Sequence, residues 1–362
     1  MPGSTIGIIG GSQLAKMMTI SAKNMGFRVG ILDPSGECPA AQLADWHIIA
    51  ACDDVLALEA LAKRCDVVTY ETKDVSVESL TMLVDSVNVP QGTDLQAITQ
   101  DRLMEKSFME ENNIVIAPYE TIISPTDIQD AIDSIGFPCV LRTTRDSDQH
   151  YILNSMSDLA PSMGLLRQGT CILEAMIPFE KEVSVQVAGN GEQYTVFPIA
   201  QTIYRDQLLF ETIVPADVPT EVNDEMRRIT VQIAQAFNLH GILTIEMFLS
   251  ASGSIYVRRL IPRVHNSGNY SLDVCNISQF DAHLRGICGW PLGTTQLFSK
   301  AVTVNILREK STNSRALIGQ KPAWNFYFYG KKELTDKTKI GHITIPTMTP
   351  GTVLAEIEDA DL

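Results

Sequence analysis

A chain of 362 residues, with 45% hydrophobic and 20% charged side chains, can bury a sizeable core and is expected to divide into about two or three domains. Its formal net charge of -15 excludes a nucleic-acid backbone as the main partner, because such binders carry a basic footprint; a small anion can still be met by local positive sites. No run of about 18 apolar residues occurs, and the start Met1-Pro2-Gly3-Ser4-Thr5 lacks a basic-then-apolar signal, so no membrane partner is expected and the chain is read as cytosolic.

The first β-branched run, Ile6-Gly7-Ile8-Ile9, leads through Gly10-Gly11 into Leu14, Met17, Met18 and Ala22 at helical spacing. This reads as strand, glycine turn, helix. Residues 29–32, ending at Asp33-Pro34, and residues 67–70, ending at Glu71, continue the alternation, which predicts a doubly wound parallel-sheet domain over residues 1–98. A glycine turn at a helix N-terminus can hold a phosphate, since unpaired N–H groups converge there and the helix dipole favours an anion. The spacing is not G-x-G-x-x-G, which leaves a nicotinamide oxidoreductase a distant alternative; a glycine needed only for a tight turn fits the same letters.

A helix opens at Gln100-Asp101-Arg102, and Arg102 and Lys106, four apart, share a face that either meets a phosphate or is simply solvated. A strand ends at Arg142, followed by Arg145-Asp146-Ser147-Asp148-Gln149-His150, a segment with two acids and no glycine. Glu174 and Glu182 follow, and taken alone Glu182 reads as an exposed strand carboxylate. Val222, Met226, Ile229, Ile233 and Phe237 form an apolar helical stripe that reads as core. Residues 242–249 place Glu246 among apolar neighbours, Ser252-Gly253-Ser254 turns the chain, and Pro262 ends a second strand of the hairpin. Beyond it Arg263, His265, Asn266 and Ser267 crowd polar groups before Gly268, as in a ligand loop. His283 sits among helix residues with no nucleophile nearby and is read as packed or exposed, not catalytic. Residues 301–362 alternate β-rich runs and turns, as a small antiparallel cap would. The seven cysteines are scattered without C-x-x-C and the six histidines are dispersed, which argues for reduced thiols and against zinc.

Several of these segments carry a resemblance. Ile6 to Met17, Cys65-Asp66-Val67-Val68-Thr69-Tyr70-Glu71, Ile172-Leu173-Glu174, Glu182-Val183-Ser184-Val185, Pro262-Arg263-Val264-His265-Asn266-Ser267-Gly268, Tyr329-Gly330-Lys331 and Lys339-Ile340-Gly341-His342-Ile343-Thr344 occur in that order. Together they resemble the ATP-grasp ligases, and among them the N5-carboxyaminoimidazole ribonucleotide synthetases, the ATPase subunits of phosphoribosylaminoimidazole carboxylase. The resemblance implies a mixed α/β and α+β architecture: an ATP-grasp fold with the N-terminal doubly wound domain at 1–98, a small lobe at 99–170, a large lobe at 171–296 and a C-terminal β-rich cap at 297–362. It implies ATP-dependent carboxylation of 5-aminoimidazole ribonucleotide with bicarbonate, through carboxyphosphate, by a homodimer. In that pattern Arg102, Arg142, Glu174, Ala175, Met176, Ile177 and Glu182 would bind ATP, Glu182 through the ribose diol, which a carboxylate suits because it accepts two hydrogen bonds. Gly11, Gln13, Glu71, Asn266, Ser267, Gly268, Lys331 and Lys339 would bind the ribonucleotide, and Arg263 and His265 would act in catalysis.

Glu246 would hold magnesium, yet Arg258 and Arg259 stand where the family has Asn-Glu. The family's glycine-rich phosphate loop is replaced by the acidic segment after Arg145, and Thr338 stands in place of a substrate-binding arginine. These departures keep two other readings open: a non-catalytic relative that binds a ligand or a partner, and a ligase for a different substrate.

Overall fold

The β-branched N-terminal runs form a parallel sheet because both of its faces are covered by helices. Strands Trp46–Ile48, Arg28–Leu32, Thr5–Ile9 and Val67–Tyr70 lie side by side in that order. Ile6, Ile8, Val29 and Ile31 are fully buried on one set of contacts, and Ile9, Leu32, Val68 and Tyr70 on the other, as expected of a sheet packed on both sides. Helix Gln13–Asn24 begins at Ser12, whose hydroxyl accepts from Leu14 N at 3.1 Å, and buries Leu14, Met17, Met18 and Ala22, the stripe read from the sequence.

The computed structural model describes residues 1–145, 150–332 and 335–362; the acidic segment expected at 146–149 lies outside the described residues. The chain gathers into two compact units. One comprises Met1–Thr93, Val183–Thr244 and Ile261–Leu362, and the other Asp94–Glu182 and Ile245–Leu260.

In the first unit a second, antiparallel sheet runs through Ala200–Arg205, Leu208–Val214, Ala301–Leu307, Lys339–Pro346 and Asn325–Phe328. The antiparallel strands expected near the C-terminus are therefore present. Helices Ser311–Ile318 and Pro350–Asp359 accompany them and were not expected; their Leu317, Val353 and Ile357 pack with Val302, Val304, Ile343 and Ile345. Each leaves half of its residues exposed and buries two, Ser314 with Leu317 and Val353 with Ile357, too short an apolar stripe to stand out against strand alternation. His283, on helix Gln279–Ile287, is completely buried. Its Nδ1 accepts from Ile242 N at 3.1 Å, so Nε2 carries the proton and donates to Thr69 Oγ1 at 2.8 Å. Burial holds this imidazole at about 4, neutral and structural.

The second unit has its own antiparallel sheet, in the order Tyr119–Ile122, Cys171–Ala175, Cys139–Thr143 and His150–Leu153. Ile122, Cys139, Leu141, Cys171 and Leu173 bury one face beneath Ile128, Ala131 and Ile132 of helix Asp127–Ile135. Helix Arg102–Glu111 starts at Asp101, whose carboxylate accepts from Leu103 N at 2.9 Å. The segment Ile245–Leu260 supplies parts of strands His240–Ser250 and Ile255–Ile261, the expected hairpin, which turns over Gly253 at φ 84°.

Candidate functional site

In the first unit the parallel strands end on a cleft of about 860 Å³, lined by the Gly10–Ser12 turn, Asp33, Glu71, Arg263, Lys331 and Lys332 among others. Strand ends of a doubly wound sheet are where such a cleft is expected. The turn is shaped by contacts that admit no side chain. Gly10 has φ 98° and a Cβ there would lie 2.9 Å from Glu71 Oε1; at Gly11 it would lie 2.3 Å from Cys38 Sγ. Glu71 is anchored by Ser12, whose backbone N donates to Oε1 at 2.8 Å and whose hydroxyl donates to Oε2 at 2.9 Å. Asp33 Oδ2 accepts from Gly11 N at 2.7 Å. Burial pushes the Glu71 carboxyl up to about 7, opposed by the Ser12 bonds and by Arg263.

Two lysines approach the same region. Burial lowers the Lys331 ammonium, with Glu71 opposing, and it lowers Lys339 to about 8, helped by the like charge of Lys331. Among the described residues neither has a carboxylate within 4.0 Å. Two ammonium groups close enough to disfavour each other, poorly hydrated and without a carboxylate in direct contact among the described residues, suit an anion. The Tyr329-Gly330 segment just before Lys331 is tied to the glycine turn's helix through Lys16, which donates to Tyr329 O at 2.8 Å and to Gln42 Oε1 at 2.9 Å, while Gln42 donates to Gly330 O at 2.9 Å.

The polar loop after Pro262 is fixed from behind. Gln279, itself buried, accepts from His265 N at 3.0 Å and donates to His265 O at 2.7 Å. Gln91 donates to Pro262 O at 3.1 Å and Thr244 to Arg263 O at 3.2 Å. Ser267 is fully buried, its hydroxyl shared with Ser184 at 2.7 Å, Gln186 Nε2 at 2.9 Å and His265 Nδ1 at 2.8 Å. Gly268 is buried against Gln279. Ser267 and Gly268 therefore shape the loop, whereas Arg263 lines the cleft and His265 and Asn266 are half-buried. Gln13 Nε2 reaches Asn266 Oδ1 at 3.5 Å.

The second unit carries a separate cluster of charges. Val140 pairs with Glu174 and Arg142 with Ile172, which sets Arg142 and Glu174 diagonally on one face of the sheet, Nε to Oε2 4.0 Å. Lys106, from the helix capped by Asp101, meets Glu174 Oε1 at 2.6 Å. Ala175 ends the strand, Met176 is exposed and Ile177 half-buried beyond it. Glu246 is completely buried, and Arg259 grips it with Nε at 2.6 Å from Oε2 and Nη2 at 3.0 Å from Oε1. Arg258 Nη1 lies 2.9 Å from the same Oε2 and 2.5 Å from Glu182 Oε1. Arg142 is pushed down to about 10 by burial, and Arg102, Arg258 and Arg259 act in the same direction, so these guanidinium groups share one neighbourhood.

Most residues singled out in the sequence thus fall into two groups, a cleft in one unit and a charge cluster in the other. Four contributors escaped that reading: Ser12, which clamps Glu71; Lys332, which pairs with Glu37 at the cleft; Lys106 as the partner of Glu174; and Glu105. Glu105 is buried beneath the hairpin and accepts from Leu260 N at 2.5 Å. Only the Ser12 role had a local signal, a serine at a helix start. A divalent cation does not fit Glu246 as placed. Its oxygens already accept three guanidinium bonds, and among the described residues no group of three or more His, Cys, Asp or Glu side chains is disposed to hold a metal.

Three stretches of the chain match known families: the ribonucleotide synthetase preATP-grasp domain over residues 3–100, the ATP-grasp domain over 107–280, and the phosphoribosylaminoimidazole carboxylase C-terminal domain over 301–356. N5-carboxyaminoimidazole ribonucleotide synthase of Bacillus subtilis (strain 168) is 39% identical over 352 residues, which span 95% of this chain and 91% of the relative. Among solved structures, an ADP complex of N5-carboxyaminoimidazole ribonucleotide synthetase superposes with a TM-score of 0.96 at 37% identity, covering 100% of this chain and 97% of the other. The Staphylococcus aureus N5-carboxyaminoimidazole synthetase complexed with ADP gives 0.95 at 35% identity, covering 99% and 97%.

Proposed function

Because the chain belongs to the N5-carboxyaminoimidazole ribonucleotide synthase family, we propose that it is an ATP-dependent ligase that carboxylates 5-aminoimidazole ribonucleotide with bicarbonate. A bicarbonate oxygen takes the terminal phosphoryl group of ATP, releasing ADP; the exocyclic amine of the ribonucleotide then attacks the carboxyl carbon of carboxyphosphate, phosphate leaves and the amine loses a proton. The observation that carries the reading is Lys331 in the cleft beside the glycine turn, together with Glu71 and Arg263, with Lys339 near enough for the two ammonium groups to act on each other.

In this reading the ribonucleotide's phosphate is held by Lys331 and Lys339, and its ribose and base lie against Gly11, Gln13, Glu71 and Asn266. Arg263 supports the carboxyphosphate and His265 assists proton movement, both aligned by the buried Ser267 and Gly268. ATP is taken by the second unit, through Arg102, Arg142, Glu174, Glu182 and the 175–177 backbone. The implied magnesium has no vacant carboxylate at Glu246. A cytoplasmic homodimer belongs to the reading, and light scattering of the purified protein checks its dimeric part; no described helix is long and apolar enough to cross a membrane.

The test is ADP release by the purified protein in the presence of ATP, bicarbonate and 5-aminoimidazole ribonucleotide. Release that needs all three supports the ligase. Lys331→Ala is expected to raise KM for the ribonucleotide about tenfold or more, with KM for ATP within about twofold, as loss of one charged phosphate contact requires. The guanidinium clamp on Glu182 and Glu246 favours one second reading, a non-catalytic ligand-binding relative. Ribonucleotide binding without any ADP release would select it.

A further inference from the structure

The charge cluster of the second unit contains its own substitute for a metal ion. A divalent cation is held by oxygen ligands that bring negative charge, commonly six or more of them for magnesium or calcium. Here the buried Glu246 and the neighbouring Glu182 are already neutralised by Arg258 and Arg259, and guanidinium groups cannot release the carboxylates by losing a proton near neutral pH. A metal entering this place would have to sit beside two fixed cations. Those cations are built to face outward: Glu246 is 0% exposed beneath them, while the side chains of Arg258 and Arg259 are each 36% exposed. The buried carboxylate thus fixes the orientation of both guanidinium groups, whose positive charge suits the oxygens of a phosphate. Arg142 and Arg102 reinforce the field, since both lie near enough to act on one another and on the pair. Among the described residues the cluster holds five cations, Arg102, Lys106, Arg142, Arg258 and Arg259, against four carboxyl groups, Glu105, Glu174, Glu182 and Glu246, so its balance is positive without a metal.

We propose, resting on the ligase reading above, that this chain binds the polyphosphate of its nucleotide through Arg258 and Arg259 with Arg142 and Arg102, and that nucleotide binding needs no divalent cation. The chemical class of ligand is a nucleoside di- or triphosphate presented as the free anion. Arg258 has a second task, because its Nη1 also holds Glu182, and it couples the phosphate end of the site to the carboxylate assigned to the ribose.

The deciding measurement is calorimetric titration of the intact protein with ADP, once with millimolar magnesium and once with the metal removed by chelation. The expected result is a Kd that changes by no more than about twofold between the two, and no binding of manganese to the protein–ADP complex by electron paramagnetic resonance. Weakening of about tenfold or more on chelation overturns the inference and leaves the ligase reading standing. No ADP binding under either condition overturns both. The double variant Arg258→Asn/Arg259→Glu is expected to reverse the behaviour, binding manganese and losing about tenfold or more in ADP affinity when chelated. Should that variant fail to fold by circular dichroism, Arg259→Lys keeps the charge and loses the fork: ADP affinity is expected to fall about tenfold equally with and without magnesium, and a fall confined to one condition counts against the proposal.

Discussion

At the scale of single residues, buried carboxyls record how far the fold has bent ordinary chemistry. Glu105 is pushed up to about 7 from 4.5, chiefly by burial, with Arg102, Lys106 and Arg259 opposing. Its native form keeps a proton that the unfolded chain has released between those two values, so this group's contribution makes stability fall as pH rises through that window. Glu105→Gln retains an oxygen for Leu260 N and removes the titration. The variant's unfolding free energy relative to the wild type is expected to grow by about 1–3 kcal/mol from about pH 5 to about pH 8, read from urea melts at each pH. A constant difference would show that Glu105 titrates normally. Nothing in the sequence disclosed this site, because the partner of Glu105 is a backbone N–H 155 residues away. Glu71 was legible for the opposite reason: it closes a strand beside a glycine turn, a pattern carried within a few letters, although its Ser12 clamp lies 59 residues off.

Among elements, the loop from Pro262 to Asn269 shows what a rigid backing does for polar residues. Gln279 serves both the N–H and the C=O of His265, so a single side chain stands in for a neighbouring strand. Gln279→Leu keeps approximate volume and leaves both backbone groups buried without their partner, which is expected to cost about 2–4 kcal/mol of stability in a urea melt. The same variant should lower kcat more than it raises KM for ATP, since Arg263 and His265 lose alignment; an unchanged kcat would separate the loop from the chemistry. The sequence exposed the loop's polarity and the strands that lead to it, but not that Ser267 faces inward. Its partners Ser184 and Gln186 belong to a strand about eighty residues earlier, and pattern reading sees period, not tertiary pairing. For the same reason the two C-terminal helices escaped notice while the strands beside them did not.

Across the whole molecule the dominant electrostatic fact is the net charge of -15, carried mostly on a surface that repels itself. Added salt screens this repulsion over distances beyond about 10 Å, while the ion pairs at Glu246 are buried and feel it less. The melting temperature is accordingly expected to rise by a few degrees between about 10 mM and about 200 mM sodium chloride. A decrease would mean that surface ion pairs, such as Lys23 with Asp45, outweigh the long-range term.

The second unit is assembled from two separated pieces of chain, Asp94–Glu182 and Ile245–Leu260, and this orders events during synthesis. When the first piece leaves the ribosome, Glu105 and Glu182 have neither Leu260 nor Arg258 to meet them, so the sheet can collapse while its charged edge stays wet. The arginine-bearing hairpin arrives last and closes that edge. The charge cluster is therefore the final part of its unit to be completed, and a nascent chain halted before residue 258 carries its carboxylates with Arg102, Lys106 and Arg142 but without Arg258 and Arg259.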